Sequence, residues 1–181
     1  MNKKMPVLFI GHGSPMNAVL NNEYTEAISK STQNIPKPEA ILVISAHWET
    51  EGTFITSSDE PEQIYDFYGF PEELYNLKYK PTGSKKYAQM VAAELKDSNV
   101  MLTEKWGLDH GAWSVLSHLY PKAEIPVFQM SLNKLGNEQY HYDLGRKLSI
   151  LREKGILIIG SGDIVHNLGR MDYDMNVTPF E

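Results

Sequence analysis

The 181-residue sequence has no cysteine, which excludes disulfides, thiolate metal sites and a cysteine nucleophile. Any bound metal must therefore be held by nitrogen and oxygen. Long apolar runs are missing as well. The run from Met5 to Ile10 is broken by Gly11-His12-Gly13, too short for the apolar region of a signal peptide. No other stretch approaches the ~20 apolar residues that a membrane span needs. Positive charge is in deficit, with 17 Lys+Arg against 23 Asp+Glu for a net −6. Neither a nucleic-acid partner nor an acidic membrane partner is expected on that balance. Several local signatures are also lacking: His-Glu-x-x-His, the glycine spacing of a dinucleotide fingerprint around Gly160-Ser161-Gly162, and a nucleophile elbow at Gly11-His12-Gly13-Ser14. What these absences leave is a soluble cytoplasmic protein.

The residues present are those of an ordinary globular domain. At 41% hydrophobic and 22% charged, the composition supports a packed core, and the length fits one domain over residues 1–181. Short apolar runs alternate with longer amphipathic ones, a pattern that predicts an α/β fold with a largely parallel sheet covered by helices on both faces. Strands are expected at Pro6–Ile10, Ala40–Ser45, Val100–Thr103, Ile125–Ser131 and Gly155–Ile159, with Asn76–Lys80 a weaker candidate. Runs such as Ile41-Leu42-Val43-Ile44 and Ile156-Leu157-Ile158-Ile159 are apolar at every position, as a strand covered on both faces requires. Helices are expected from an N-cap at Ser14-Pro15, over Ser84–Lys96 and Asn137–Arg152, and through Trp113, Val115, Leu116 and Leu119. Thr178-Pro179-Phe180-Glu181 reads as a further helix start, with Thr as N-cap and Glu closing a capping box. One isolated turn does not offset the cost of nucleating a helix, so the expectation is of a chain cut short.

Three of the six histidines follow predicted buried strands: His12 after Val7–Ile10, His47 after Ile41–Ser45, and His166 after Ile156–Ile159. In an open α/β sheet the carboxyl ends of the strands are where ligands gather. Imidazole nitrogen suits iron, zinc, copper or nickel. His110, in Asp109-His110-Gly111-Ala112-Trp113, stands at a helix start, where it serves as acid, base or anion contact, or simply caps the helix. His118 and His141 fall within helical patterns and are expected to be structural or solvent-facing. Tyr65, Phe67, Tyr68 and Phe70 form either a loop packed by its own side chains or an apolar lid over a flat substrate.

Five segments, taken in order, carry a resemblance: Gly11-His12-Gly13-Ser14-Pro15-Met16; Ser45-Ala46-His47-Trp48-Glu49; Tyr65-Asp66-Phe67-Tyr68-Gly69-Phe70-Pro71; Asp109-His110-Gly111-Ala112-Trp113; and the stretch from Gly160 to Leu168. Together they resemble the class III extradiol ring-cleavage dioxygenases, in the branch named for DOPA dioxygenase and related to the catalytic subunit of protocatechuate 4,5-dioxygenase. The resemblance implies a non-haem metal site, Fe(II) for turnover or Zn(II) as bound metal, with a catechol and O2 as substrates. It implies His12 and His47 as metal ligands. His166 would be the acid/base or an additional metal ligand, and His110 a second catalytic histidine contacting substrate or dioxygen. The family's remaining ligand lies in a C-terminal segment that finds no match here, so weaker metal binding is expected of this chain. A zinc-dependent hydrolase and a non-catalytic binding protein on the same fold are the competing expectations.

Overall fold

The computed structural model describes residues 4–164. His166 and the expected helix start at Thr178–Glu181 lie outside the described residues. Among the described residues the sheet has six strands: β1 (Val7–Gly11), β2 (Ala40–Thr50), β3 (Thr53–Thr56), β4 (Val100–Thr103), β5 (Val127–Asn133) and β6 (Ile156–Gly162). Their order is β1-β6-β2-β5-β3-β4. The first four in that order run parallel to their neighbours, and only the β3–β5 contact, Ile55 opposite Met130, is antiparallel.

Helices cover both faces of this sheet. Alternate residues of the central strands point to opposite sides, so a fully apolar run feeds two cores at once. Ile41, Val43, Leu157 and Ile159 face α1 (Glu23–Ser31) and α4 (His110–Leu119), meeting Ile28, Trp113 and Leu116. Leu42, Phe128, Ile156 and Ile158 face α3 (Lys85–Glu94) and α5 (Glu138–Leu148), meeting Val91, Leu144 and Leu148. The short α2 (Glu72–Asn76) adds Leu74 to the first core. At the edge strand β1, Leu8 and Ile10 join the first core, whereas Val7 and Phe9 are exposed.

Local chemistry sets the helix starts. The Ser84 and Asn137 side chains accept from the Tyr87 and Tyr140 backbone N–H groups, capping α3 and α5. Ser14 does cap, but the helix it opens is one turn of 3-10 helix, Pro15–Ala18. α1 begins with a capping box in which Asn22 and Thr25 satisfy each other's backbone.

Two expectations change. Asn76–Lys80 is not a strand, because its backbone groups are met by side chains. Tyr79 N–H donates to Gln63 Oε1 at 2.8 Å, and the Leu77 carbonyl accepts from Gln63 Nε2 and Tyr65 Oη. β2 runs on past Ser45 to Thr50. Its pairing with β6 ends at Ser45 opposite Ser161, and its register with β5 shifts between Ile44 and Glu49. His47 therefore sits within an irregular stretch of β2 rather than beyond it, a β-bulge that re-aims the side chain.

Leu116 is fully buried between α4 and the sheet, while Leu135 is 73% exposed. In urea unfolding, Leu116→Ala is expected to cost about 2–5 kcal/mol. Leu135→Ala should stay within about 0.5 kcal/mol of the parent chain.

Candidate metal centre

Three histidines from three elements meet at the carboxyl end of the parallel strands. His12 follows β1, His47 comes from the bulge in β2, and His110 opens α4. One ring nitrogen from each lies within 4.8 Å of the others. His12 and His110 are almost fully buried, at 2% and 4% exposure, and His47 is partly so.

A network of hydrogen bonds holds the ring of His12. Its Nδ1 lies 3.0 Å from Ser161 Oγ, and that hydroxyl donates its one proton to the Gly111 carbonyl at 2.5 Å. Ser161 can then only accept from His12, which puts the imidazole proton on Nδ1 and the lone pair on Nε2. The backbone is pinned at the same point. His12 N–H donates to the Gly162 carbonyl, Asn17 Nδ2 donates to the His12 carbonyl, and Tyr24 Oη donates to the Gly11 carbonyl. Burial, and next the charge of Asp163, push the Tyr24 phenol up to about 12, so it remains a donor.

The other two rings meet over one carboxylate. Asp66 Oδ2 is 3.4 Å from His47 Nδ1, and Asp66 Oδ1 is 3.0 Å from His110 Nδ1. The His110 contact is a charge contact rather than a well-aligned hydrogen bond; the aligned bond runs from the His110 backbone N–H to Asp66 Oδ1 at 2.9 Å. Burial pushes the Asp66 carboxyl up, but the His110 ring and backbone pull it down by more, and the net value lies below the ordinary one. Asp66 thus stays an ionised acceptor at neutral pH.

Asp109 has a different role. It is fully buried and caps α4, accepting from the Ala112 backbone N–H, from Ser45 Oγ at 2.7 Å and from Gln129 Nε2 at 2.8 Å. Burial raises its pKa, with Gln129 and Ser45 opposing. No side chain fits at Gly111 in this packing, since a Cβ there would stand 2.5 Å from Ser45 Oγ and 3.0 Å from His47 Cδ2.

The donors suit a metal. Nδ1 of His12 is bonded to Ser161, Nδ1 of His47 lies 3.4 Å from Asp66, and the two Nε2 atoms face each other at 3.0 Å. Two ring nitrogens so close need a proton or a cation between them. Two nitrogens each about 2.1 Å from one ion, at about 90–109°, would stand about 3.0–3.4 Å apart. The residues present therefore fit a non-haem metal.

Of the expected site residues, the fold brings together His12, His47 and His110. His118 and His141 lie apart from them, each bonded to a backbone carbonyl, that of Asn17 and of Asn133. Asp66, Asp109, Ser161 and Tyr24 were given no role on sequence grounds. Asp109 and Ser161 stand in quoted motifs that hold a histidine and Asp66 in one that holds none; for Tyr24 no signal existed. The aromatic loop packs on itself and on α4. Phe67 meets Phe70 at 5.2 Å, Trp113 at 6.0 Å and the His110 ring edge-on at 5.4 Å, while Tyr68 is 92% exposed.

This fold and site define a class. Residues 6–179 match the family described as the catalytic LigB subunit of aromatic ring-opening dioxygenase, and the chain belongs to that family. Among individual proteins it is similar to one named "4,5-DOPA dioxygenase extradiol" from Escherichia coli (strain K12), with 43% identity over 98% of this chain and 66% of the relative. A protein of the same name from Beta vulgaris is 43% identical over 87% of this chain and 61% of its own length. The crystal structure of an uncharacterized Escherichia coli K12 protein superposes with a TM-score of 0.78 at 40% identity, covering 94% of this chain and 64% of that one. The chain thus spans just under two thirds of the length of these relatives. Among the described residues, no helix is long and apolar enough to cross a membrane.

The site makes a direct prediction. By isothermal titration with Zn(II), His12→Ala is expected to lower affinity more than about 100-fold, because it removes a donor outright rather than an outer partner. His141→Ala should leave the affinity unchanged.

Proposed function

We propose that this chain supplies the catalytic core of an extradiol dioxygenase, which opens a catechol-type ring with O2 at a non-haem iron. The observation that carries the reading is the convergence of His12, His47 and His110 at the carboxyl end of the sheet, with the Nε2 atoms of His12 and His47 3.0 Å apart. In this reading His12 and His47 hold the metal. Fe(II), when bound, would supply the electron transfer that overcomes the spin barrier between O2 and an aromatic ring.

The chain's own residues supply the rest. His110, buried beside the pair, donates a hydrogen bond to an oxygen of the substrate or of dioxygen as charge develops there. His166 removes a catechol proton on binding and returns it later, or adds a further ligand. Phe67, edge-on to His110, and the aromatic residues behind it give an apolar wall that keeps water from that side of the site. DOPA, named for two of the relatives, is the first substrate to test. The proposal sets the reaction in the cytoplasm.

The test is oxygen uptake with DOPA and with unsubstituted catechol after anaerobic Fe(II) loading. It is run on this chain and on a version extended by the part of the Escherichia coli relative that the chain does not match. Catechol-dependent uptake is expected with iron and not with zinc, and His110→Ala should slow it about 100- to 10,000-fold. Activity in the extended version alone would assign a needed ligand to that extra part. Full turnover with Zn(II) and no oxygen uptake would replace the reading with a hydrolase. Cleavage at full rate by His166→Ala would remove its acid/base role.

A further inference from the structure

The aromatic loop passes beside the His47 and His110 rings and is tied down along most of its length. Ile64 N–H donates to the Leu108 carbonyl, Leu108 N–H donates to the Glu62 carbonyl, and Trp113 Nε1 donates to the Ile64 carbonyl. Gly107 lies so close under the loop that a Cβ there would stand 1.9 Å from the Glu62 carbonyl oxygen. Tyr65, Phe67 and Phe70 pack on the first core. Asp66 lies at the surface, yet its side chain reaches inward to within 3.4 Å of the His47 ring and 3.0 Å of the His110 ring. Tyr68 is the exception. It does not join that core, and at 92% it is more exposed than any other aromatic side chain among the described residues. Gly69 follows at φ +79°, with no atom within 4 Å of the place a Cβ would take. The base of the loop is fixed, and its tip has a permissive backbone and room to swing.

We propose that Tyr68 is a specificity-determining residue that folds over the outer part of a bound catechol and favours rings carrying a side chain over the bare ring. This rests on the dioxygenase reading, in which Tyr68 has no role. The geometry decides which part of the substrate it meets. A catechol enters the histidine centre with its two oxygens first, so the ring carbons far from those oxygens, and whatever they carry, face the mouth. Two residues of chain span at most about 7 Å, so Tyr68 starts no further than that from Asp66, whose shorter side chain already reaches two of the histidines. The longer phenol has the reach to lie over the mouth, where it meets the substituted end of the ring. Two aromatic faces that stack gain more than their buried area alone. A substituent places further apolar area under the phenol, which is the source of the preference. Ordering one exposed side chain takes back part of the gain, and the net effect expected is about 3- to 10-fold in affinity.

The rival account is a solvated loop tip with no part in binding, since singly exposed aromatics are ordinary. Substrate binding separates the two. Zinc has no redox chemistry, so the Zn(II)-loaded chain can be titrated with DOPA and with unsubstituted catechol without consuming either. Tyr68→Ala is expected to weaken DOPA about 3- to 10-fold and catechol by less, and Tyr68→Phe, which keeps the ring face, should restore most of the loss. In the wild-type complex, nuclear Overhauser contacts should join the Tyr68 ring protons to the DOPA side-chain protons, a readout that needs no variant to fold. In the iron-loaded protein, Tyr68→Ala should raise KM for DOPA with a smaller change in kcat. Equal DOPA affinities in wild type and Tyr68→Ala, or a DOPA complex without contacts to the Tyr68 ring, overturn the proposal even where oxygen uptake is normal. DOPA binding that depends on Tyr68, together with no oxygen uptake under iron, would leave Tyr68 as a substrate contact and remove the dioxygenase reading instead. Binding of neither compound to the zinc-loaded chain would remove both.

Discussion

The buried carboxylate of Asp109 is the interaction on which the site depends. A fully buried charge costs several kcal/mol unless its oxygens are satisfied, and here each is met by a different part of the fold. Ser45 brings β2, Gln129 brings β5, and the Ala112 N–H brings the first turn of α4. Ser45 also accepts from the His47 N–H, and Ser161, on β6, donates to the Gly111 carbonyl. One polar knot therefore fixes the start of α4 against three parallel strands, with His12, His47 and His110 at its rim. The rings are placed by backbone that is itself held in place, an arrangement that keeps donor atoms from drifting.

Much of the architecture could be read from the residues. Central strands buried on both faces have to be apolar at every position, and Ile41–Ile44 and Ile156–Ile159 are; helix starts need side-chain acceptors, and Ser84 and Asn137 provide them. What was not legible depended on distant partners. Thr53–Thr56 is a four-residue strand with little pattern of its own, made by pairing with β4. Asn76 ends α2, and beyond it Gln63 and Tyr65 satisfy the backbone of Leu77 and Tyr79 where a neighbouring strand would. α1 starts with an Asn–Thr box, a less common form of the capping pattern.

The site was legible in a similar, divided way. Histidines at the ends of buried strands marked the right edge of the sheet, and His12 and His47 do meet there. Their second partners were not visible, because Asp66 and Ser161 lie 19 and 114 residues beyond His47 in the chain and act only once the sheet is formed. Membership in the ring-opening dioxygenase family accounts for the histidine pattern. The proposed reaction draws on the pattern together with the geometry.

Isotope labelling tests the proposed chemistry most directly. The Fe(II)-loaded protein, extended as its relatives are, is given DOPA under oxygen-18 gas, and the ring-opened product is weighed by mass spectrometry before its aldehyde oxygen exchanges with water. Incorporation of both atoms of one O2 molecule is the predicted result. A ring-opened product carrying no label, or an unopened ring with the gas unused, would contradict it.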